Sequence, residues 1–155
     1  MTWRGSTDAK DRFFAALVYL MPLYDAVFSF GSYVLDQLPA LRIILIPLTP
    51  VAYIYGSIPF AGLIIFFVLF LAVVRNPKIS YFIRFNTLQA ILLSIGVFLL
   101  SLARMILQIP FLWQTFSSVV FLAALGACLY SMIQSILGRY AEIPTISDAA
   151  YSQLR

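Results

Sequence analysis

Histidine is absent from the 155-residue chain, cysteine occurs once, and charged side chains make up only 10% of it. Each shortage removes a class of function. Without histidine the commonest metal ligand and general base is missing. Cys128, being alone, can form no intrachain disulfide. It falls within an apolar run, where it packs as a small hydrophobe. There is no H-E-x-x-H, no G-x-S-x-G and no phosphate-binding glycine loop. No catalytic residue, cofactor site or metal site is therefore expected, and the chain reads as a non-enzyme.

What fills the chain instead is apolar. Hydrophobic residues make up 63% of it, and the mean hydropathy is +0.98. A soluble domain carries roughly 25% charged residues and could not hide this much apolar surface from water at this length. The expected solvent is a lipid bilayer. The net charge of +4 does not indicate nucleic acid, because the basic residues stand in ones to threes at the ends of apolar runs rather than clustered on one face.

The fold class expected is an all-α polytopic membrane protein with four transmembrane helices. Residues 1–12 form a polar N-terminal segment, 13–138 a four-helix membrane domain, and 139–155 a polar, loosely ordered C-terminal tail. The segment before Phe13 lacks the pattern of a secretory signal or transit peptide, so insertion through the chain's own apolar segments is expected. The spans are placed at 13–33, 58–74, 79–103 and 116–137, each near the roughly 20 residues that cross a hydrocarbon core. Pro22 and Asp25 predict a kink in the outer third of the first. The 32 residues from Ile43 to Val74 carry no formal charge, too many for one span and few for two. Pro47, Pro50, Gly56 and Pro59 interrupt the first half. Residues 43–56 are therefore read as interfacial or re-entrant, with one long tilted helix as the alternative.

Four spans put the N-terminus, the loop between spans two and three, and the C-terminus on one side. Those regions hold Arg4, Lys10, Arg12, Arg75, Lys78, Arg84, Arg139 and Arg155, eight of the ten basic residues, against Arg42 and Arg104 opposite. The excess of basic residues places both termini in the cytoplasm or its equivalent.

Polar groups inside the spans are the candidate functional residues, since they are costly in lipid. Asp25 either lines a hydrated path, caps the helix broken at Pro22, or pairs with Arg104 at the end of the third span. Arg84, Asn86 and Gln89 open the third span. Asn86 and Gln89, three apart, share a helix face. They serve as hydrogen-bonding glue between helices or line a polar vestibule. Ala123 and Ala127 form a small-xxx-small pair suited to close helix packing.

Two stretches carry a family likeness. RFFAALVYLMPLYDAVFSFG (12–31) and VVRNPKISYFIRFNTLQAILL (73–93) resemble the twenty-kilodalton subunit of the translocon at the inner envelope membrane of chloroplasts, a Tic family with cyanobacterial relatives. The likeness covers about 12–139, with Arg75, Asn76, Pro77, Arg84, Phe85, Asn86 and Gln89 matching the family's signature. It implies a four-helix protein with both termini stromal or cytoplasmic. The implied role is a membrane subunit of preprotein import, contributing to a protein-conducting path by oligomerising or with partner subunits. The implied partners are the lipid bilayer, other translocon subunits, a further copy of the chain and polypeptide cargo. The implied membranes are the cyanobacterial plasma or thylakoid membrane or the plastid inner envelope. A non-conducting assembly or scaffold subunit is the alternative reading.

Overall fold

The computed structural model describes residues 7–154; Arg4 and Arg155, two of the basic residues counted above, lie outside them. The described residues form helices and turns without a strand. Helix α1 (Ala9–Leu17) starts behind Asp8, whose carboxylate accepts the Asp11 N–H at 2.8 Å. Such a side-chain cap satisfies a donor that the first helical turn leaves free. After Val18 and Tyr19 the chain resumes as α2 (Leu20–Phe30). The break lies one turn before Pro22, because proline has no N–H for the carbonyl of Val18 and its ring crowds that carbonyl. The interruption is thus at mid-span, inward of the expected position.

Helix α3 (Ser32–Gln37) and a 3₁₀ turn (Pro39–Ile44) lead into α4 (Leu45–Ser57). Ile58 is extended, as a residue before proline tends to be, and Phe60 is left-handed at φ 57°. A turn closed by Ala61 N–H to the Ile58 carbonyl reverses the chain into α5 (Ala61–Val68), which continues as a π-helical turn, Leu69–Val74. Helix α6 (Tyr81–Ser101) is capped by Ser80, whose hydroxyl accepts the Ile83 N–H. Helix α7 (Pro110–Ile136) begins with proline at its first position, where no N–H is needed. Helix α8 (Ile146–Gln153) closes the described chain.

Among the described residues four helical stretches are long and apolar enough to cross a membrane: Ala9–Phe30, Pro39–Ser57, Tyr81–Met105 and Pro110–Ile136. The region read from sequence as the second span, 58–74, carries a shorter helix, Ala61–Val74, while length points to Pro39–Ser57. The core lies where α2 packs on α6 and α7, around Tyr19, Leu23, Phe30, Leu48 and Phe121. Around it the usual order is inverted. Phe28, Leu63, Phe98, Phe111, Val119 and Ile133 are exposed, while Asn86, Thr87, Gln89, Ser131 and Ser135 are fully buried. In water that arrangement would strand a large apolar surface. In lipid it is what solvation demands, and the chain is an integral membrane protein.

The ends of the elements identify a common face. Gly138, at φ +76°, lies against the Arg12 guanidinium. Asp8, Lys10 and Lys78 line one cavity. The start of α1, the 75–80 loop and the C-terminal segment therefore gather at one end of the molecule, as the distribution of basic residues anticipated. The C-terminal segment departs from expectation. It is not loose: Ala141 and Ala150 are fully buried, and Tyr151 stacks on Phe85 with ring centroids 4.6 Å apart.

Candidate functional site: a buried polar network and a groove beneath a helical hairpin

Asn86 and Gln89 lie on the first turns of α6, both fully buried. Their spacing aims them at the break between α1 and α2, and that break presents Tyr19. The Tyr19 hydroxyl donates to Asn86 Oδ1 at 2.7 Å and accepts from Gln89 Nε2 at 2.9 Å. Ser135, near the end of α7, donates to Asn86 Oδ1 at 3.1 Å. The other Gln89 bonds reach the C-terminal segment: Nε2 donates to the Ala141 carbonyl at 3.1 Å, and Oε1 accepts from the Ser147 hydroxyl at 2.7 Å. Ser147 in turn accepts the Ile143 N–H at 2.6 Å. Three long helices and the tail are thus joined by uncharged groups that satisfy one another, the condition under which burying them is tolerable.

The remaining signature residues shape the loop before α6. Asn76 Oδ1 accepts the Lys78 N–H at 3.0 Å, a local turn, with Pro77 between them. Arg84 Nε donates to the Val74 carbonyl at 2.9 Å, serving an acceptor that the end of the α5 helix leaves free. Arg75 is exposed. Phe85 is fully buried against Tyr140 and Tyr151. Arg84 therefore stands apart from the Asn86–Gln89 network and holds the end of the hairpin.

Asp25 and Arg104 are not brought together. Arg104 lies over the Trp113 ring, 4.9 Å from its centroid. Among the described residues the ion pair formed is Arg42–Asp36, exposed, at 2.8 Å. The separation follows from the 3₁₀ turn Leu102–Met105, which carries Arg104 beyond the end of α6 and toward α7. Asp25 instead faces a cavity of about 410 Å³ with Ser29, Tyr55, Ser94 and Ser101. A second cavity, of about 860 Å³, opens between Asp8, Lys10 and Lys78 and runs between Leu17, Ile54 and Leu69. Met21 and Tyr55 border both. Both cavities lie beneath the same hairpin, one with polar groups at Lys10 and Lys78 and the other at Asp25 and Ser94. The wall on one side is α1, α2 and α6; on the other it is the hairpin of α4 and α5. That hairpin is lightly held. In α4 only Leu48 is buried, and its Tyr55 ring rests on Tyr24 at 4.4 Å.

Tyr19, Tyr55, Ser135 and Ser147 were not singled out as site residues from the sequence. The available signal was the break that Pro22 imposes, which must present some residue of the preceding turn to the core. Among the described residues no group of histidine, cysteine, aspartate or glutamate is placed to hold a metal. What these side chains form is a set of hydrogen bonds between helices.

Comparison with known proteins supplies the family. Residues 8–150 match the model described as "Chloroplast import apparatus Tic20-like". A Tic20 family protein of the cyanobacterium Synechocystis sp. is 51% identical, over 100% of this chain and 99% of its own length. Protein TIC 20-v, chloroplastic, of Arabidopsis thaliana is 32% identical over 96% of this chain and 73% of its own length. The Tic20 family protein Ycf60 of Porphyra purpurea is 32% identical over 97% of this chain and 80% of its own. The match spans all the long helices and the buried network, and this chain belongs to the Tic20 family.

Proposed function

We propose that the chain is a membrane subunit of a protein-translocation machinery, and that the groove beneath the α4–α5 hairpin is its contribution to the polypeptide path. The observation that carries the reading is the groove itself, within a family whose model is described as a chloroplast import apparatus. Its polar ends suit a hydrated chain entering and leaving, and Met21 with the Tyr55 ring, which border both cavities, limit leakage of water and ions between them. The end bearing Lys10, Arg12, Arg75 and Lys78 faces the cytoplasm or stroma, on the rule that retains basic residues there.

On this reading the two arms of the hairpin have different roles. The α2 end and the 75–80 loop lie at opposite ends of the molecule, so residues 31–74 make one net crossing. Ala61–Val74 runs from the Asp25 and Ser101 level to the Lys78 end, and this segment completes the crossing. Pro39–Ser57 is then the re-entrant arm, dipping in beside Tyr24 and turning back at Phe60. One helical hairpin cannot enclose an aqueous path on every side. The path is closed by a second copy or by another membrane subunit.

A photo-crosslinking residue at Tyr55, inside the groove, and another at Val119, exposed on α7, test the reading with a translocation-arrested polypeptide. Adducts from Tyr55 and few from Val119 are expected. Equal yields, or adducts from Val119 alone, contradict it. A scaffold role without a path is favoured by one feature: Ala123 and Gly126 are exposed on α7, and nothing lies within 4 Å of the Gly126 Cβ position. Another helix could approach closely there, and adducts to a partner subunit rather than to cargo would then dominate from both positions.

A further inference from the structure

The larger cavity, of about 860 Å³, is charged at one end only. Below that end its walls are Phe14, Leu17 and Met21 on one side and Ile54, Ile65 and Leu69 on the other. A shaft with walls of this kind gives water too few polar partners to hold it. It is also open along its length: Phe14, Leu17 and Ile54 line it and are still 42%, 43% and 42% exposed. Within a membrane span that opening faces hydrocarbon, so an acyl chain can enter from the side. From Lys10 to Met21 the helix rise gives a shaft of about 16 Å.

At the charged end stand Lys10, Lys78, Asp8 and Asp11, with Ser80 at the start of α6. Both lysines are exposed, and among the described residues neither forms an ion pair. Asp8 is committed to the cap of α1. Two negative charges beside two positive ones, all near water, leave little attraction for a free phosphate ion. A phosphodiester carries a single charge, can accept from both ammonium groups, and is held at the mouth by the chains attached to it. Basic pockets between spans on the cytoplasmic side suit such headgroups. Deeper in, about 10 Å along α6 from Ser80, Thr87 also lines the cavity. It is fully buried, and its hydroxyl has no partner among the described residues. A buried hydroxyl without an acceptor is costly. A glycerophospholipid carries such acceptors, its ester carbonyls, between the phosphate and the chains.

We propose that this cavity is a glycerophospholipid site. The phosphate lies at Lys10 and Lys78, an ester carbonyl accepts from the Thr87 hydroxyl, and one acyl chain runs between Leu17 and Ile54. The site goes beyond the translocation reading and does not rest on it, since lipid fills the shaft whether or not a polypeptide displaces it.

The test uses the full chain in an uncharged maltoside detergent and a photoreactive phosphatidylglycerol with a diazirine midway along one acyl chain. Labelling should saturate and map to Leu17, Ile54 and Leu69, with little at Val119, which is exposed on α7. A diacylglycerol probe with the same chains and no phosphate should label the shaft weakly. Lys10→Gln and Lys78→Gln, both at exposed positions, should each lower the apparent affinity about five-fold. Leu17→Trp, which fills the shaft and leaves every charge in place, should remove the shaft adducts. An ether-linked phosphatidylglycerol, lacking the ester carbonyls, should compete less well than the ester-linked lipid in the unaltered chain and equally well in Thr87→Val. Excess glycerol 3-phosphate should not displace the probe. Equal labelling by the two probes, adducts as frequent at Val119 as in the shaft, or displacement by glycerol 3-phosphate overturns the inference. So does an unchanged affinity in both lysine variants, which cannot be blamed on misfolding.

Discussion

Asn86→Leu probes the buried network most sharply, because leucine has the same branching and number of side-chain heavy atoms and none of the polarity. The wild-type Oδ1 accepts protons from Tyr19 at 2.7 Å and Ser135 at 3.1 Å, and Nδ2 donates to the Phe82 carbonyl at 2.9 Å. In the variant the Phe82 carbonyl keeps its helical partner, and the Ser135 hydroxyl can turn to a carbonyl of its own helix. The buried Tyr19 proton loses its strong amide acceptor and keeps only the Ser131 hydroxyl beside it, a weaker one. A stranded buried donor costs about 1–3 kcal/mol in proteins, and interhelical bonds in membranes average about 0.6 and reach about 1.7 kcal/mol. A loss of about 2 kcal/mol is expected, roughly 4–8 °C in thermal unfolding of detergent-solubilised protein on the scaling for chains of this size. The decisive comparison is Tyr19→Phe/Asn86→Leu. The double variant removes the tyrosine proton together with its acceptor, and the Gln89 Nε2 proton that loses Tyr19 does so equally in the single Tyr19→Phe, so the double should regain at least about 1 kcal/mol over the sum of the singles. Independent sites add to within about 0.3–0.5 kcal/mol, and additivity of that quality would refute the hydrogen-bond account.

Other outcomes follow from single contacts. Arg84→Ala removes a charge-assisted bond to the Val74 carbonyl, worth about 1.5–3 kcal/mol where shielded and less at this partly exposed position. Hydrogen exchange of amides 70–76 should accelerate while that of mid-α7 stays unchanged. Arg104→Ala should cost under about 1 kcal/mol, the cation–π contact with Trp113, and should combine additively with Asp25→Asn; strong coupling in unfolding measurements would mean that the two side chains do meet. Gly31→Ala places a Cβ 2.7 Å from the Val27 carbonyl oxygen and 3.0 Å from Phe121 Cε2, an overpacking that should destabilise by about 1–3 kcal/mol. Gly56→Ala, with nothing within 4 Å, should instead stabilise α4 by roughly 0.5–1 kcal/mol. The contrast is read from one pair of melting curves.

The determinants of the loop before α6 are local. Asn76 and Pro77 make a turn, Ser80 caps a helix, and Arg84 is ten residues from the carbonyl it serves. All-helical architecture was legible from uncharged runs of membrane length, and the gathering of basic segments at one end from their spacing. Asn86 and Gln89 announced themselves as polar residues on one face of a span. Their partners did not, since Tyr19 lies 67 and 70 positions away, and only the break imposed by Pro22 turns it inward. The tail read as loose because its composition is polar and small. What orders it is complementarity to Gln89 and Phe85, a tertiary property. Arg104 was drawn toward Asp25 by the attraction of opposite charges at similar depth. The terminal 3₁₀ turn and the indole of Trp113 decided otherwise.

The central claim, that polypeptide passes beneath the α4–α5 hairpin, is tested most directly by tying the hairpin shut. Tyr24 and Tyr55, whose rings lie 4.4 Å apart, are replaced as Tyr24→Cys/Tyr55→Cys in a Cys128→Ala background, and translocation is measured before and after the two thiols are bridged by a bifunctional methanethiosulfonate reagent of matching reach. The account predicts that bridging stops transport and that reductant restores it. Transport at the wild-type rate through the fully cross-linked protein would contradict it.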